Sequence, residues 1–234
     1  MIKVTEIVKR AKGMTVEEFQ DHWLHSHGPI VAEMPGLLRY AQSHTRPGGY
    51  RRGEPAYDGI AELWFQDKEA LRSIATTDEF AAAKVDESKF IDPDSLIELV
   101  VDEHVIKDGP APAGGIKSIE FVSLRPDLTV TEAQRYWREV HGPVAARIPT
   151  MSRYVQSHVR VRAFDQSRTP LVASQPLPWV LISGAISVTS RRIGATSLAT
   201  VTIANFVTRV GDGTCQAGAC AGPRSPEVQA SGSP

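Results

Sequence analysis

Two stretches decide how this chain folds: MTVEEFQDHWLHSHGPIVAEMPGLLRYAQSHTR (Met14 to Arg46) and LTVTEAQRYWREVHGPVAARIPTMSRYVQSHVR (Leu128 to Arg160). They align without a gap at a constant offset of 114 residues, and 16 of the 33 positions are identical. The shared residues include Trp23/Trp137, His27-Gly28-Pro29/His141-Gly142-Pro143, Arg39-Tyr40/Arg153-Tyr154 and Gln42-Ser43-His44/Gln156-Ser157-His158. The register extends back to the start, where Ile2-Lys3 and Glu6 match Ile116-Lys117 and Glu120. A repeat this long is a copied domain rather than a solenoid unit.

Around the first stretch the elements follow from local chemistry. Ile2 to Val8 alternates and is rich in β-formers, which predicts a strand. Thr15-Val16-Glu17-Glu18 is a capping box, and Thr129 to Glu132 repeats it. Behind it Val16, Phe19, Trp23, His27, Ile30, Val31 and Met34 recur on one helical face, until Pro35-Gly36 stops the helix. Strands are expected over Leu37 to Arg46, Tyr57 to Phe65 and Ser95 to Ile106. A loop is expected at 47–56 and a second helix from Asp67 to about Lys84. The order β-α-β-β-α-β is the ferredoxin-like unit. Residues 1–108 form one such unit, 109–115 (GPAPAGG) a linker, and 116–174 the first part of a second.

The second copy then departs from the plan. No acidic residue lies between Asp165 and Asp212, whereas residues 51–107 carry fourteen. Residues 175–210 therefore read as a divergent or frame-shifted replacement of the third strand and second helix. Strand-forming runs remain at Trp179 to Val188 and Leu198 to Val210, and Asn205-Phe206-Val207 echoes Lys89-Phe90-Ile91. Residues 211–234 are small, Pro/Gly/Ser-rich and non-periodic, and read as a disordered tail.

Composition narrows the function classes. A net charge of -1 gives no reason to expect nucleic acid or an anionic membrane as partner. No run approaches the roughly 20 apolar residues that span a bilayer. The two cysteines, Cys215 and Cys220, are too few for a disulfide framework or a closed zinc site. A soluble cytoplasmic protein is the expectation. There is no G-x-S-x-G, P-loop or dinucleotide fingerprint.

The candidate chemistry lies in the repeat. Pro29 lacks an N–H, so the helix should kink or restart at His27, and Pro143 does the same at His141. Each histidine then ends a helical segment, where the dipole favours imidazolium and burial favours the neutral ring. It is either an acid–base group or the clamp on the carbonyls that the kink frees. On the following strand Tyr40, Gln42, His44 and Arg46 share a face, with Leu37, Arg39, Ala41 and Ser43 opposite. Tyr154, Gln156, His158 and Arg160 repeat the row. It lines a polar cavity, or it is satisfied across an interface. Trp23 and Trp137 are core residues or pocket walls. Arg39 and Arg153 pair a substrate carboxylate or a helix acid. The run His22, His25, His27 is not read as a metal site. Residues five apart miss a shared helical face, and the second copy has Tyr136 and Glu139 at the first two positions.

The pattern T-V-E-E-F-x-x-x-W-x-x-x-H-G-P-x-x-x-x-x-P-x-x-x-R-Y-x-Q-S-H resembles the EthD family, in full over residues 1–108 and in part from 116 to about 165. The resemblance implies a dimeric α+β barrel in which two ferredoxin-like units join their sheets. In this chain they would form an internal pseudo-dimer, with room for a homodimer. It also implies a small-molecule ligand and no cofactor. The reaction class would be decarboxylation, isomerisation or oxidation of a small aromatic or keto acid, with a binding protein for a partner oxygenase, or a structural barrel, as alternatives. His27, His141, Tyr40 and His44 become the expected catalytic positions. Trp23, Arg39, Gln42, Trp137, Tyr154 and His158 become the expected binding positions. With the second copy incomplete, the working site is expected around His27.

Overall fold

The first strand, β1 (Ile2–Val8), pairs antiparallel with both β3 (Gly59–Phe65) and β4 (Ile97–Lys107), and β3 pairs with β2 (Leu37–His44). The order 4-1-3-2 is that of a ferredoxin-like sheet. The computed structural model of the chain describes residues 1–110, 116–123, 127–160, 179–186, 206–209 and 214–216. Across the linker, β5 (Ile116–Ser123), β6 (Met151–Val159), β7 (Trp179–Ile186) and β8 (Phe206–Arg209) are arranged in the same way, as 8-5-7-6. A third strand of the second unit is therefore present: β7 pairs with β5 and β6 as β3 pairs with β1 and β2. The rest of 175–210, where a divergent or frame-shifted replacement was expected, lies outside the described residues. Phe206 and Val207, which echo a helix end by spacing, instead lie in the fourth-strand position.

Two seams join the units into one curled sheet. The long β4 pairs through Ile97–Val101 with β1 and through Val101–Lys107 with β6. On the other side β9 (Thr214–Gln216), inside the expected tail, pairs with β2, and β8 pairs with β5. Only four residues separate β8 from β9, so together they repeat the two halves of β4 and bring the sheet round on itself. The rest of 211–234 lies outside the described residues. The architecture is the α+β barrel built from ferredoxin-like units.

Closing the sheet gives each strand an inner face and a helix-covered outer face, so period-2 alternation sorts residues between two cores. Ile7 and Ile60 of the first unit meet Ile119 and Phe121 of the second inside the barrel. Outside, Phe19, Trp23, Val31, Phe90, Leu63 and Phe65 belong to the larger helix–sheet core. Polar groups enter the barrel too. Lys3 Nζ lies 2.7 Å from Glu62 Oε1, 3.1 Å from Glu103 and 2.9 Å from Ser157 Oγ, and Lys117 pairs with Glu62 and donates to Ser43 Oγ at 3.3 Å. Each lysine thus reaches the serine of the opposite unit.

The first helix is three pieces: α1 (Val16–Asp21), a π turn (His22–His27) and α2 (Gly28–Ala32). Both halves of the expected capping box form at Thr15 and Glu18, and again at Thr129 and Glu132 ahead of α5 (Val130–Tyr136). A second π turn (Trp137–His141) and α6 (Gly142–Ala145) repeat the break. The second helix is also divided, into α3 (Lys68–Ser73) and α4 (Asp78–Phe90). Thr77 caps α4 by accepting from the Phe80 N–H, which is why the helix does not run unbroken from Asp67. No helix among the described residues is long and apolar enough to cross a membrane.

Candidate functional site

The HGP triplet works through the π turn. Pro29 stands in the first turn of α2, and the Gly28 N–H bonds the Trp23 carbonyl five residues back, the wider loop of a π turn. That carbonyl also accepts from Gln42 Nε2 at 2.8 Å. Gln42 Nε2 is shared with the Tyr40 hydroxyl (2.9 Å), Tyr40 accepts from Trp23 Nε1 (3.2 Å), and His44 Nε2 donates to Gln42 Oε1 (2.9 Å). A Cβ at residue 28 would stand 3.2 Å from Gln42 Nε2 and 3.4 Å from the Trp23 carbonyl oxygen, so a larger residue would press on the clamp. The second unit repeats the device. Gln156 Nε2 lies 3.0 Å from the Trp137 carbonyl and 2.9 Å from the Tyr154 hydroxyl, and His158 lies 3.0 Å from Gln156 Oε1.

The row Tyr40, Gln42, His44 therefore faces the helix layer, where its hydrogen bonds close on the π turn. The kink is clamped by Gln42 rather than by His27. Burial pushes the Tyr40 hydroxyl pKa well above its ordinary value, against the opposing hydrogen bonds from Gln42 and Trp23. His44 tilts against Trp23 at 4.6 Å, and His158 stacks on Trp137 at 4.9 Å. Burial, with His104 and Arg138 nearby, pushes His158 down to about 4.

His27 turns to a different partner. Its ring is buried, and Nδ1 lies 3.1 Å from Asp86 Oδ2 on α4. His22 Nε2 reaches the same carboxylate at 3.1 Å, and Lys89 Nζ bonds Asp86 Oδ1 at 3.0 Å. The convergence of His22 and His27 corrects the expectation that residues five apart miss a common face, because the π turn adds the residue that brings them round. Burial would raise the Asp86 carboxyl, but hydrogen bonds from Lys89, His22 and His27 hold it below the ordinary range. An ionised carboxylate only accepts, so His27 donates through Nδ1–H and keeps a basic lone pair on Nε2. Burial pushes His27 down to about 4 against the pull of Asp86, so the ring is neutral at pH 7. In the contest between dipole and burial, burial wins.

The other expected positions spread out. His141 is exposed, whereas its counterpart His27 is covered by α4. Arg39 lies on the barrel side of β2 with its guanidinium 4.4 Å from the Trp64 ring, and makes no ion pair with a helix acid among the described residues. Arg153 pairs with Asp108. The structure brings His27, Trp23, Tyr40, Gln42 and His44 together beneath one helix and places Arg39 across the sheet from them. Asp86 was missed by sequence reasoning. It is one acid among several on α4, and the repeat cannot single it out because no described residue of the second unit occupies the place of α4. Among the described residues, no three His, Cys, Asp or Glu groups are arranged to hold a metal ion.

The EthD domain pattern matches residues 11–94 and 125–182, more than half of the chain, and in both units it spans the π turn and its clamp. The chain belongs to the EthD family. The second match continues to residue 182 within β7, beyond the limit near 165 visible from the motifs. An EthD family protein from Bacillus halodurans C-125 is 26% identical over 44% of this chain and 99% of its own, with a TM-score of 0.38. An anthrone oxidase-like protein matches 93% of both chains at 7% identity with a TM-score of 0.61, a likeness of fold. No curated protein matches this EthD chain.

Proposed function

We propose that the chain is an EthD-type small-molecule enzyme whose first unit performs acid–base chemistry, with His27 as the base. The observation that carries this is the buried His27–Asp86 pair. The carboxylate fixes the ring tautomer, and burial keeps the imidazole neutral and able to accept a proton at Nε2. Such a base suits proton abstraction next to a carbonyl, the step common to isomerisation of keto acids and to related rearrangements. Tyr40, Gln42 and His44 hold the helix that presents His27. His141 is exposed, so the second unit is the supporting half.

The test follows deuterium exchange of the acetophenone methyl group in D2O by proton NMR. His27→Ala is expected to lower the rate by about 100-fold or more, while acetophenone still binds by saturation-transfer NMR. Asp86→Asn, which frees the tautomer, is expected to give a smaller loss. Undiminished exchange in His27→Ala would refute the assignment. A second reading, a barrel in which the duplicated residues only hold the π turns, draws support from the closed hydrogen-bond chain at Gln42. That reading predicts lower stability in His27→Ala and no exchange by the wild type.

A further inference from the structure

We propose that Glu6 is the proton donor that works opposite His27, its carboxyl hydrogen-bonding the carbonyl oxygen of a ketone-bearing substrate while His27 takes the α-proton. This rests on the acid–base reading of His27. Glu6 sits mid-strand in β1, between Val4 and Val8, which both belong to the helix–sheet core. Across the sheet it lies in the row Glu98, Glu6, Ala61, Gln42. Ala61 contributes only a methyl between Glu6 and Gln42. Gln42 lies beneath Gly28, the neighbour of His27. Two strand spacings, about 10 Å, separate the Glu6 and Gln42 backbones.

The groups facing Glu6 are Lys84 and Glu87 on α4, Glu98 on β4 and Tyr40 on β2. Lys84 Nζ spends its hydrogen bonds on Glu87 (2.9 Å) and Glu98 (3.0 Å). Among the described residues, none hydrogen-bonds the Glu6 carboxyl. Burial pushes it up to about 8, with Glu87 and Glu98 adding to the shift and Lys84 opposing it. It therefore holds a proton at neutral pH. The repeat keeps the feature. Glu120 takes the same register opposite Ile182 and Gln156, its carboxyl is raised by burial, and it lies within electrostatic reach of His141 and Tyr154.

The step balances without an oxidant. The α C–H bond breaks and its proton goes to His27 Nε2. The electron pair moves to the carbonyl, whose oxygen takes the Glu6 proton to give the enol. The carboxylate left behind is stabilised by the Lys84 ammonium beside it. Return of the proton to a different carbon completes an isomerisation, and its return to the same carbon from D2O is exchange.

The test is the pH profile of acetophenone exchange. The wild type is expected to rise through about pH 4 as His27 loses its proton and to fall above about pH 8 as Glu6 loses its own. Glu6→Gln should slow exchange at pH 7 by about 100-fold and abolish the alkaline fall. Glu6→Asp should restore that fall, which a merely structural role would not do. In protein carrying 13C-carboxyl glutamate, one resonance absent from Glu6→Gln should titrate near pH 8. Wild-type exchange in Glu6→Gln, or a Glu6 resonance titrating in the ordinary carboxylate range, would overturn this inference alone. Exchange that survives in His27→Ala but not in Glu6→Gln would overturn the base and leave the donor. No wild-type exchange above buffer would overturn both.

Discussion

Replacing Glu62 with Gln is expected to destabilise the barrel by about 3–5 kcal/mol, read as a lower midpoint of urea unfolding. The side chain is only 2% exposed, and its two oxygens meet Lys3 and Lys117. Lys3 comes from the first strand of the first unit and Lys117 from the first strand of the second, so one carboxylate offsets a pair of duplicated ammonium groups. The duplication is not matched on the acid side, since the residue opposite Ile119, in the place of Glu62 opposite Thr5, is Ser183. Gln keeps the shape and removes the charge, so both lysines lose the carboxylate they share within a closed sheet. Lys3 keeps Glu103 at 3.1 Å, which is why the effect stops short of abolishing the fold.

The pH dependence supplies the sign. Burial alone would raise the Glu62 carboxyl, but Lys117 and Lys3 outweigh it and hold it far below the ordinary carboxylate range. The folded state therefore binds this proton more weakly than the unfolded chain, and the stabilisation is fully present above about pH 4.5. It is lost as pH falls toward the depressed value. The difference between wild type and Glu62→Gln should be constant from pH 7 to 5 and shrink in stronger acid. A difference that stays flat to pH 3 would refute the ion-pair account. Adding Lys117→Met to Glu62→Gln should recover part of the loss, because it removes one buried charge.

Much of this architecture was legible because it depends on neighbours in sequence. Thr15 and Glu18 cap their own helix, Pro29 restarts the helix it occupies, and alternation from Tyr40 to His44 puts three side chains on one face. What local pattern could not supply was what each face meets. In an open sheet a polar row points to water or to a cavity. In this barrel both faces are covered, and the row was claimed by the Trp23 carbonyl of the π turn. Asp86 and Glu62 lay beyond reach for a related reason. Each acquires its role from a residue at least 55 positions away, His27 and Lys117 respectively, and neither has an acidic counterpart in the second copy to draw attention. Comparing the two copies reveals what they share. The strongest electrostatics here lie where they differ.

The same asymmetry sets the last expectation, that Trp23→Ala costs about 3–5 kcal/mol and more than Trp137→Ala. Trp23 is 1% exposed and packs against Phe19 at 5.3 Å and His44 at 4.6 Å, with its Nε1–H on Tyr40. Trp137 is 8% exposed and lies in the unit whose described residues include no second helix. Its truncation leaves a hole nearer to water, where solvent refills part of it. Gly59 provides the control. A Cβ there would stand 2.2 Å from Trp23 Cζ3 and 2.7 Å from Cη2, so Gly59→Ala in the wild type must displace the indole, at about 1–3 kcal/mol. Once Trp23 is alanine, that methyl enters the space the indole has left, with the Ser43 carbonyl still close at 3.0 Å. The double variant should therefore unfold at a higher urea concentration than the two single losses predict, with a coupling of about 0.5–3 kcal/mol. Additive losses would mean that the sheet relaxes around Gly59, and that the indole does not define the helix-to-sheet distance on which the His27 site depends.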